Sequence, residues 1–354
     1  MDKFIVVRKN KFSLIYEKRS FKVLVSILLL GFISMVISLC IGQTFIPLDK
    51  VINTILGGKG GEAYIINSLR LPRALVGFLV GASLGLSGAI LQGVVKNPLA
   101  DPNVMGVVNG GSVGALFFLT LFTNPKNNSL TTSIFYMPVF TFAGAFLSVL
   151  LIYFLALKKG VTPFRLILIG IAISGALKAI TSILIISGPV VFIAEAQIWL
   201  TGTIYGTTWI HVKLLTPWFI LLFILTIIFT RELNLQNLED NISTGLGTKV
   251  EKLRFLLMII SAALASGAVA VGGGISFVGL IAPHICRKLT NSSFENIIPL
   301  SALIGGIIVV LSDLAARTLF FPLDLPVGIF TAGVGAPFFI YLLIKNQRTM
   351  KRGI

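Results

Sequence analysis

Charge is scarce in this 354-residue chain: 12% of its residues are charged and 55% are hydrophobic. A soluble domain carries roughly 25% charged residues. With a mean hydropathy of +0.96, the balance excludes a soluble globular protein and points to an integral membrane one. Acidic residues are scarcer still, 13 against 29 Lys and Arg, for a net charge of +16. Only two cysteines, Cys40 and Cys286, and two histidines, His211 and His284, are present. Both cysteines lie in or beside apolar stretches, so no disulfide framework exists. So few isolated ligands do not make a zinc or haem site of usual ligand number. The Gly-x-x-x-x-Gly-Lys-Ser/Thr pattern that cradles nucleotide phosphates is missing; Gly57-Gly58-Lys59-Gly60 is glycine-rich but does not fit it. If ATP drives this protein, another polypeptide binds it. The longest polar interval, Arg231 to Arg254, is too small for an independent soluble core. No nucleophile–base pair supports a membrane enzyme.

What is present is a succession of apolar stretches, near 23–42, 74–95, 104–123, 134–157, 166–187, 212–229, 255–271, 275–289, 297–314 and 327–344. Crossing a bilayer core takes about 20 residues, so the expected fold is all-α and polytopic, with about ten transmembrane helices in one transmembrane domain over 1–354. The first stretch follows a basic arm, 1–22, and lacks a small-residue cleavage site, which predicts a retained helix. Lys and Arg gather before the first stretch, at Lys158, Lys159 and Arg165, across 231–254, at Arg287 and Lys288, and at Lys345 to Arg352. With alternating helices these all fall on one side, cytoplasmic by the positive-inside rule, and both termini with them. The excess charge therefore encodes topology and not a nucleic-acid site.

The richest stretch runs from Leu69 to Ser112. It opens on Leu69-Arg70-Leu71-Pro72-Arg73, continues through an apolar helix in which Gly77, Gly81 and Gly85 recur every fourth residue, and closes on Asn97-Pro98-Leu99-Ala100-Asp101-Pro102. Small residues at that spacing give a flat face on which a neighbouring helix can pack closely in lipid. Two further motifs stand out. Gly272-Gly273-Gly274 predicts a sharp return before Phe277-Val278-Gly279-Leu280 and Pro283-His284, where the proline interrupts a helical ladder and His284 is expected to be a hydrogen-bonded structural residue. Asp313 and Arg317 are spaced to pair on one helix, ahead of Pro322-Leu323-Asp324-Leu325-Pro326-Val327-Gly328. Helix alternation puts Arg317 on the outer side with Arg70 and Arg73. Three arginines there run against the positive-inside trend, and arginine forks suit carboxylates on an external partner. Lys178 is the one strong charge in mid-span, and either lines a path for an anion or faces the subunit interior. Residues 233–247 alternate apolar and polar and stop at glycines, fitting two short helices about a turn; they form either a solvated connector or a knob for a cytoplasmic groove.

Together these residues resemble the membrane-spanning permeases of the iron-siderophore and cobalamin family of ABC importers. The pieces are Arg70-Leu-Pro-Arg73, Gly81-Ala-Ser-Leu-Gly85-Leu-Ser-Gly88, Asn97-Pro-Leu-Ala-Asp-Pro102, Trp199-Leu-Thr-Gly202, Phe277-Val-Gly-Leu280, Pro283-His284, Leu325-Pro-Val-Gly328 and Gly335-Ala-Pro337, in the family's order over nearly the whole chain. The resemblance implies the type II importer permease fold in a bacterial cytoplasmic membrane. It implies a second permease, identical or paralogous, two ATP-binding subunits that use the ATP, and an extracytoplasmic substrate-binding lipoprotein. It implies no cofactor or metal bound by this chain. By that resemblance Arg70, Arg73 and Arg317 dock the binding protein. Asn97, Pro98 and Leu99, with Thr162, Pro163 and Phe164, close the cytoplasmic gate. Leu238, Glu239, Asp240, Ser243, Gly245 and Gly247 couple to the ATPase. The expected cargo is a ferric siderophore, with cobalamin or haem as the alternative. The chain departs from the family at Val108-Asn109 before Gly110, and at Asn291-Ser-Ser-Phe-Glu295, where a basic pair is usual. An ion-driven secondary transporter would need intramembrane carboxylates, and the spans offer mainly Asp313.

Overall fold

A computed structural model describes residues 4–9, 12–58, 60–124, 129–157, 163–188, 193–236, 250–291 and 293–352. Every predicted apolar stretch is a helix. They are α1 (Lys18–Cys40), α3 (Leu71–Val95), α4 (Val107–Phe122), α5 (Met137–Leu157), α6 (Pro163–Ser187), α8 (Trp209–Ile228), α10 (Val250–Gly272), α11 (Val278–Leu289), α12 (Phe294–Thr318) and α13 (Val327–Arg352). Eight are long and apolar enough to cross a membrane; α4 and α11 are shorter. Three short helices lie between them: α2 (Leu48–Ile55), α7 (Ile193–Thr201) and α9 (Thr230–Gln236). The basic arm departs from the all-helical expectation, because Phe4–Lys9 pairs antiparallel with Phe12–Glu17. Helix dominates elsewhere because backbone in lipid must satisfy its own hydrogen bonds.

The bundle is organised around α3, which packs most extensively on α12 and α10. The α3 span, continuous with a π-helical turn at Ile65–Arg70, is 83% buried, against 11% for α6. The glycine face explains the difference. A Cβ on Gly81 would lie 2.2 Å from the Gly305 carbonyl oxygen, one on Gly85 2.2 Å from that of Ser301, and one on Gly88 1.8 Å from that of Gly279. Backbones therefore touch along three successive turns, which supplies the dispersion contact that drives helix association where the solvent is itself apolar. A polar lock adds to it: the Ser87 hydroxyl donates to the Ser261 carbonyl at 2.7 Å and the Ser261 hydroxyl to the Ser87 carbonyl at 2.9 Å. The contact of α4 with α5 repeats the device, with Gly110 and Gly144 each abutting the other's carbonyl.

The return after α10 follows a long helix. Gly273 takes φ +64° there, and Phe277, which caps α11, takes +66°. This turn meets two other motifs. Gly202 and Gly274 both donate to the Trp199 carbonyl, and Gly328 at the start of α13 donates to the Gly202 carbonyl at 3.0 Å. A Cβ on Gly328 would sit 1.7 Å from the Thr201 carbonyl oxygen. Three glycine-bearing segments distant in sequence thus form one junction at the Arg70 end of the bundle.

Candidate functional site

The three arginines do gather, around a recess of about 420 Å³ that also exposes Tyr205 and Asp324. Their guanidinium groups are committed to this chain's own acceptors. Arg70 donates to the carbonyls of Leu39 (2.7 Å), Cys40 (3.0 Å) and Thr44 (2.5 Å), and Arg317 to the carbonyl and hydroxyl of Ser38 (2.5 and 2.7 Å). Both therefore complete the carboxy-terminal turn of α1, whose last carbonyls have no helical donors and whose dipole favours a cation. Gly42 makes room, since a Cβ there would lie 2.8 Å from Arg70 Nη2. Arg73 instead meets carboxylates. Its Nε donates to Asp313 at 2.9 Å, and its Nη1 and Nη2 donate to the two oxygens of Asp324 at 2.6 and 2.8 Å. Tyr205 covers the guanidinium with its ring centroid 5.6 Å away. The expected Asp313–Arg317 pair is the longer contact, 3.6 Å, while Arg73 approaches Asp313 at 2.7 Å.

At the opposite end, Lys96 turns α3 off with φ +53°. Asn97 closes the turn by accepting from the Leu99 amide at 2.9 Å. Asn97 and Leu99 line a cavity of about 320 Å³ with Asp101, Leu166 and Phe339, while Pro98 is exposed. This cavity joins the Asn97–Leu99 turn to the first turns of α6, which Pro163 opens and Phe164 continues; Thr162 lies outside the described residues. So do the expected coupling residues Leu238, Glu239, Asp240, Ser243, Gly245 and Gly247. The helix leading to them, α9, is tied to α12: Asn234 donates to Glu295 at 2.8 Å and accepts from the Phe294 amide at 2.9 Å. The divergent Asn291–Glu295 segment therefore has a defined role in holding α9. Lys178 is exposed on α6. His284 departs from expectation, since its Nε2 has no hydrogen-bond partner among the described residues and its ring packs edge-on against Phe338, 5.3 Å between centroids.

Asp101 belongs to the Asn97–Pro102 motif, which by its pattern alone gives the carboxylate no role. Its side chain is buried; Oδ1 accepts from the Asn103 amide at 2.8 Å, whereas Oδ2 has no hydrogen-bond partner among the described residues. Burial, only partly offset by the Asn103 hydrogen bonds, pushes this carboxyl up from 3.8 to about 6. The folded protein then holds the proton more tightly than the unfolded chain. Stability is expected to be greatest below pH 4 for this group and to fall between pH 4 and 6, by about 3 kcal/mol at most. Asp101→Asn is expected to remove that contribution, measured as a flatter melting temperature between pH 4 and 6; a slope equal to wild type would refute it.

A bundle of apolar helices with backbone-to-backbone glycine contacts, an arginine cluster at one end and a cavity beside a proline turn at the other is the architecture of a multi-pass membrane protein. Residues 28–345 match the FecCD transport family, and the chain belongs to that family. It is 39% identical over 310 residues to the iron(3+)-hydroxamate import system permease protein FhuG of Bacillus subtilis, covering 87% of this chain and 92% of the relative. It is 38% identical over 348 residues to the achromobactin transport system permease protein CbrC of Dickeya dadantii, covering 98% of each. A solved inward-facing metal-chelate type ABC transporter superposes with a TM-score of 0.78 at 30% identity, covering 92% of this chain and 99% of that one.

Proposed function

We propose that this chain is the permease subunit of an ABC importer that moves ferric siderophores across a bacterial cytoplasmic membrane. The carrying observation is a family match over almost all of the transmembrane bundle, with relatives named for iron(3+)-hydroxamate import and achromobactin transport. The chain performs no covalent chemistry. It works beside a second permease, two ATP-binding subunits that consume the ATP, and an extracytoplasmic binding protein. Iron crosses already wrapped by its chelator, so the membrane spans need no ligand set of their own.

In this reading the whole chain is one transmembrane unit with both termini in the cytoplasm. The Arg70, Arg73 and Arg317 cluster receives acidic side chains of the binding protein. Asn97, Pro98 and Leu99 close the inner end of the path together with Thr162, Pro163 and Phe164. Leu238, Glu239, Asp240, Ser243, Gly245 and Gly247 engage the ATPase. Lys178, on the least buried of the eight long spans, faces the path and attracts an anionic chelate.

The test is reconstitution in liposomes with the candidate ATPase, binding protein and second permease, with and without ATP. ATP-dependent uptake of radioactive iron as a siderophore chelate is expected, and no ATP hydrolysis by this chain alone. Hydrolysis by the rigorously pure chain, or uptake driven by an ion gradient without ATP, would overturn the assignment.

A further inference from the structure

Within the arginine cluster, the two carboxylates that hold Arg73 are not equivalent. Asp313 belongs to α12, is 2% exposed, and lies between Arg73 and Arg317. Asp324 is 20% exposed and sits in the short connection between α12 and α13. That connection makes few hydrogen bonds of its own, from the Leu323 amide to the Phe320 carbonyl and from the Leu325 amide to the Ala316 carbonyl. Its apolar side chains face outward, with Phe321 61% and Leu323 64% exposed. Asp324 nonetheless occupies both Nη groups of Arg73 in the two-pronged geometry that an arginine offers any carboxylate.

We propose that Asp324 stands in for a carboxylate of the docking partner: it holds Arg73 while the permease is free, and yields it when an acidic side chain of the binding protein arrives. This rests on the proposed docking role of the cluster. Charge complementarity selects an acidic occupant, because three guanidinium groups and one carboxylate, Asp324, line the recess, with Asp313 buried behind them. Exchange of one carboxylate for another keeps Arg73 paired throughout, avoiding the cost of stranding a charge at a half-buried site. The displaced Asp324 turns to the water it already borders. Arg70 and Arg317 need not let go of the α1 carbonyls; they contribute positive field while Arg73 makes the exchangeable contact. Asp324 lies three residues before Val327, the first residue of α13, so its release loosens the connection leading directly into that helix. The inner part of α13 brings Phe339 to the cavity lined by Asn97 and Leu99.

The experiment measures binding-protein affinity for the complete reconstituted transporter, comparing wild type, Asp324→Asn, Asp324→Ser, Arg73→Gln and the Arg73→Gln/Asp324→Asn double variant at equal membrane levels. Removing the internal competitor is expected to tighten docking about fivefold, the worth of one partly exposed charge pair. Arg73→Gln is expected to weaken docking and to abolish the gain in the double variant. Unchanged or weaker docking in both Asp324 variants, alongside weaker docking in Arg73→Gln, overturns the exchange and leaves the docking role standing. Wild-type affinity in Arg73→Gln overturns the docking role and the exchange with it. Carboxylate footprinting by mass spectrometry on the wild-type complex supplies a second measurement if the variants fail to assemble. Asp324 is expected to react faster when the binding protein is docked, and slower labelling overturns the exchange.

Discussion

Alanine at Gly88 is expected to remove the assembled permease from the membrane, while alanine at Gly31 leaves it at wild-type level. Each change adds one methyl group, so the difference comes entirely from what that group meets. At Gly88 it would lie 1.8 Å from the carbonyl oxygen and 2.6 Å from the Cα of Gly279, which are backbone atoms of α11. No rotamer change relieves such a clash; α11 must move away from α3. Overpacking costs about 1–3 kcal/mol where side chains can adjust, and backbone against backbone exceeds that range. At Gly31 the nearest atoms are the Ile307 side chain at 3.7 Å, an ordinary contact. Membrane level by immunoblot and melting temperature in detergent distinguish the two cases. A Gly88→Ala protein with wild-type level and melting would show that α11 is not seated where the structure has it.

A comparable loss is expected from Asp313→Ala. This carboxylate is buried between two guanidinium groups. Its removal leaves Arg73 with Asp324 and leaves Arg317 without an ion-pair partner among the described residues. Breaking a buried pair from one side costs about 3–5 kcal/mol, because the remaining charge stays desolvated. Adding Arg317→Met, which deletes the stranded charge and keeps the apolar stem, is expected to recover about half of that loss, while Arg73 keeps its partner. Chemical or thermal denaturation of the single and double variants reads the difference. If the double variant is no more stable than the single, Asp313 contributes through packing and not through charge.

Much of this arrangement could be read along the chain because lipid makes its demands local. A span must be apolar and of fixed length, so the ten helices announced themselves residue by residue. A close backbone contact favours glycine, so Gly81 and Gly85 marked the packed face of α3 before any neighbour was known, while Gly77 meets the Ile204 side chain. The clustering of Arg70, Arg73 and Arg317 was also accessible, from helix alternation alone. Their partners were not. Asp324 lies 251 residues from Arg73, and nothing periodic connects them; the i, i+4 spacing pointed instead to Asp313–Arg317, which is the weaker contact. Arg70 and Arg317 bond to main-chain carbonyls of α1, which every residue possesses and no motif can single out. The unpartnered oxygen of Asp101 escaped notice for a similar reason: its isolation depends on how the 96–106 connection folds beneath α11. The amide pair at Asn234 could not be read because Asn291–Glu295 departs from the pattern usual in the family.

The brevity of α11 has a consequence for how the chain reaches its membrane. Twelve residues extend about 18 Å at 1.5 Å each, well short of a hydrocarbon core of about 30 Å. Pro283 within it lowers its capacity to stand alone further. A segment of that length does not partition into lipid by its own hydropathy. It settles only against surfaces that are already there, the glycine row of α3 on one side and α12 on the other. Its neighbour α12 emerges from the ribosome after it, so the stretch from Val278 to Leu289 has to wait, sheltered at the insertion machinery, until the following helix arrives.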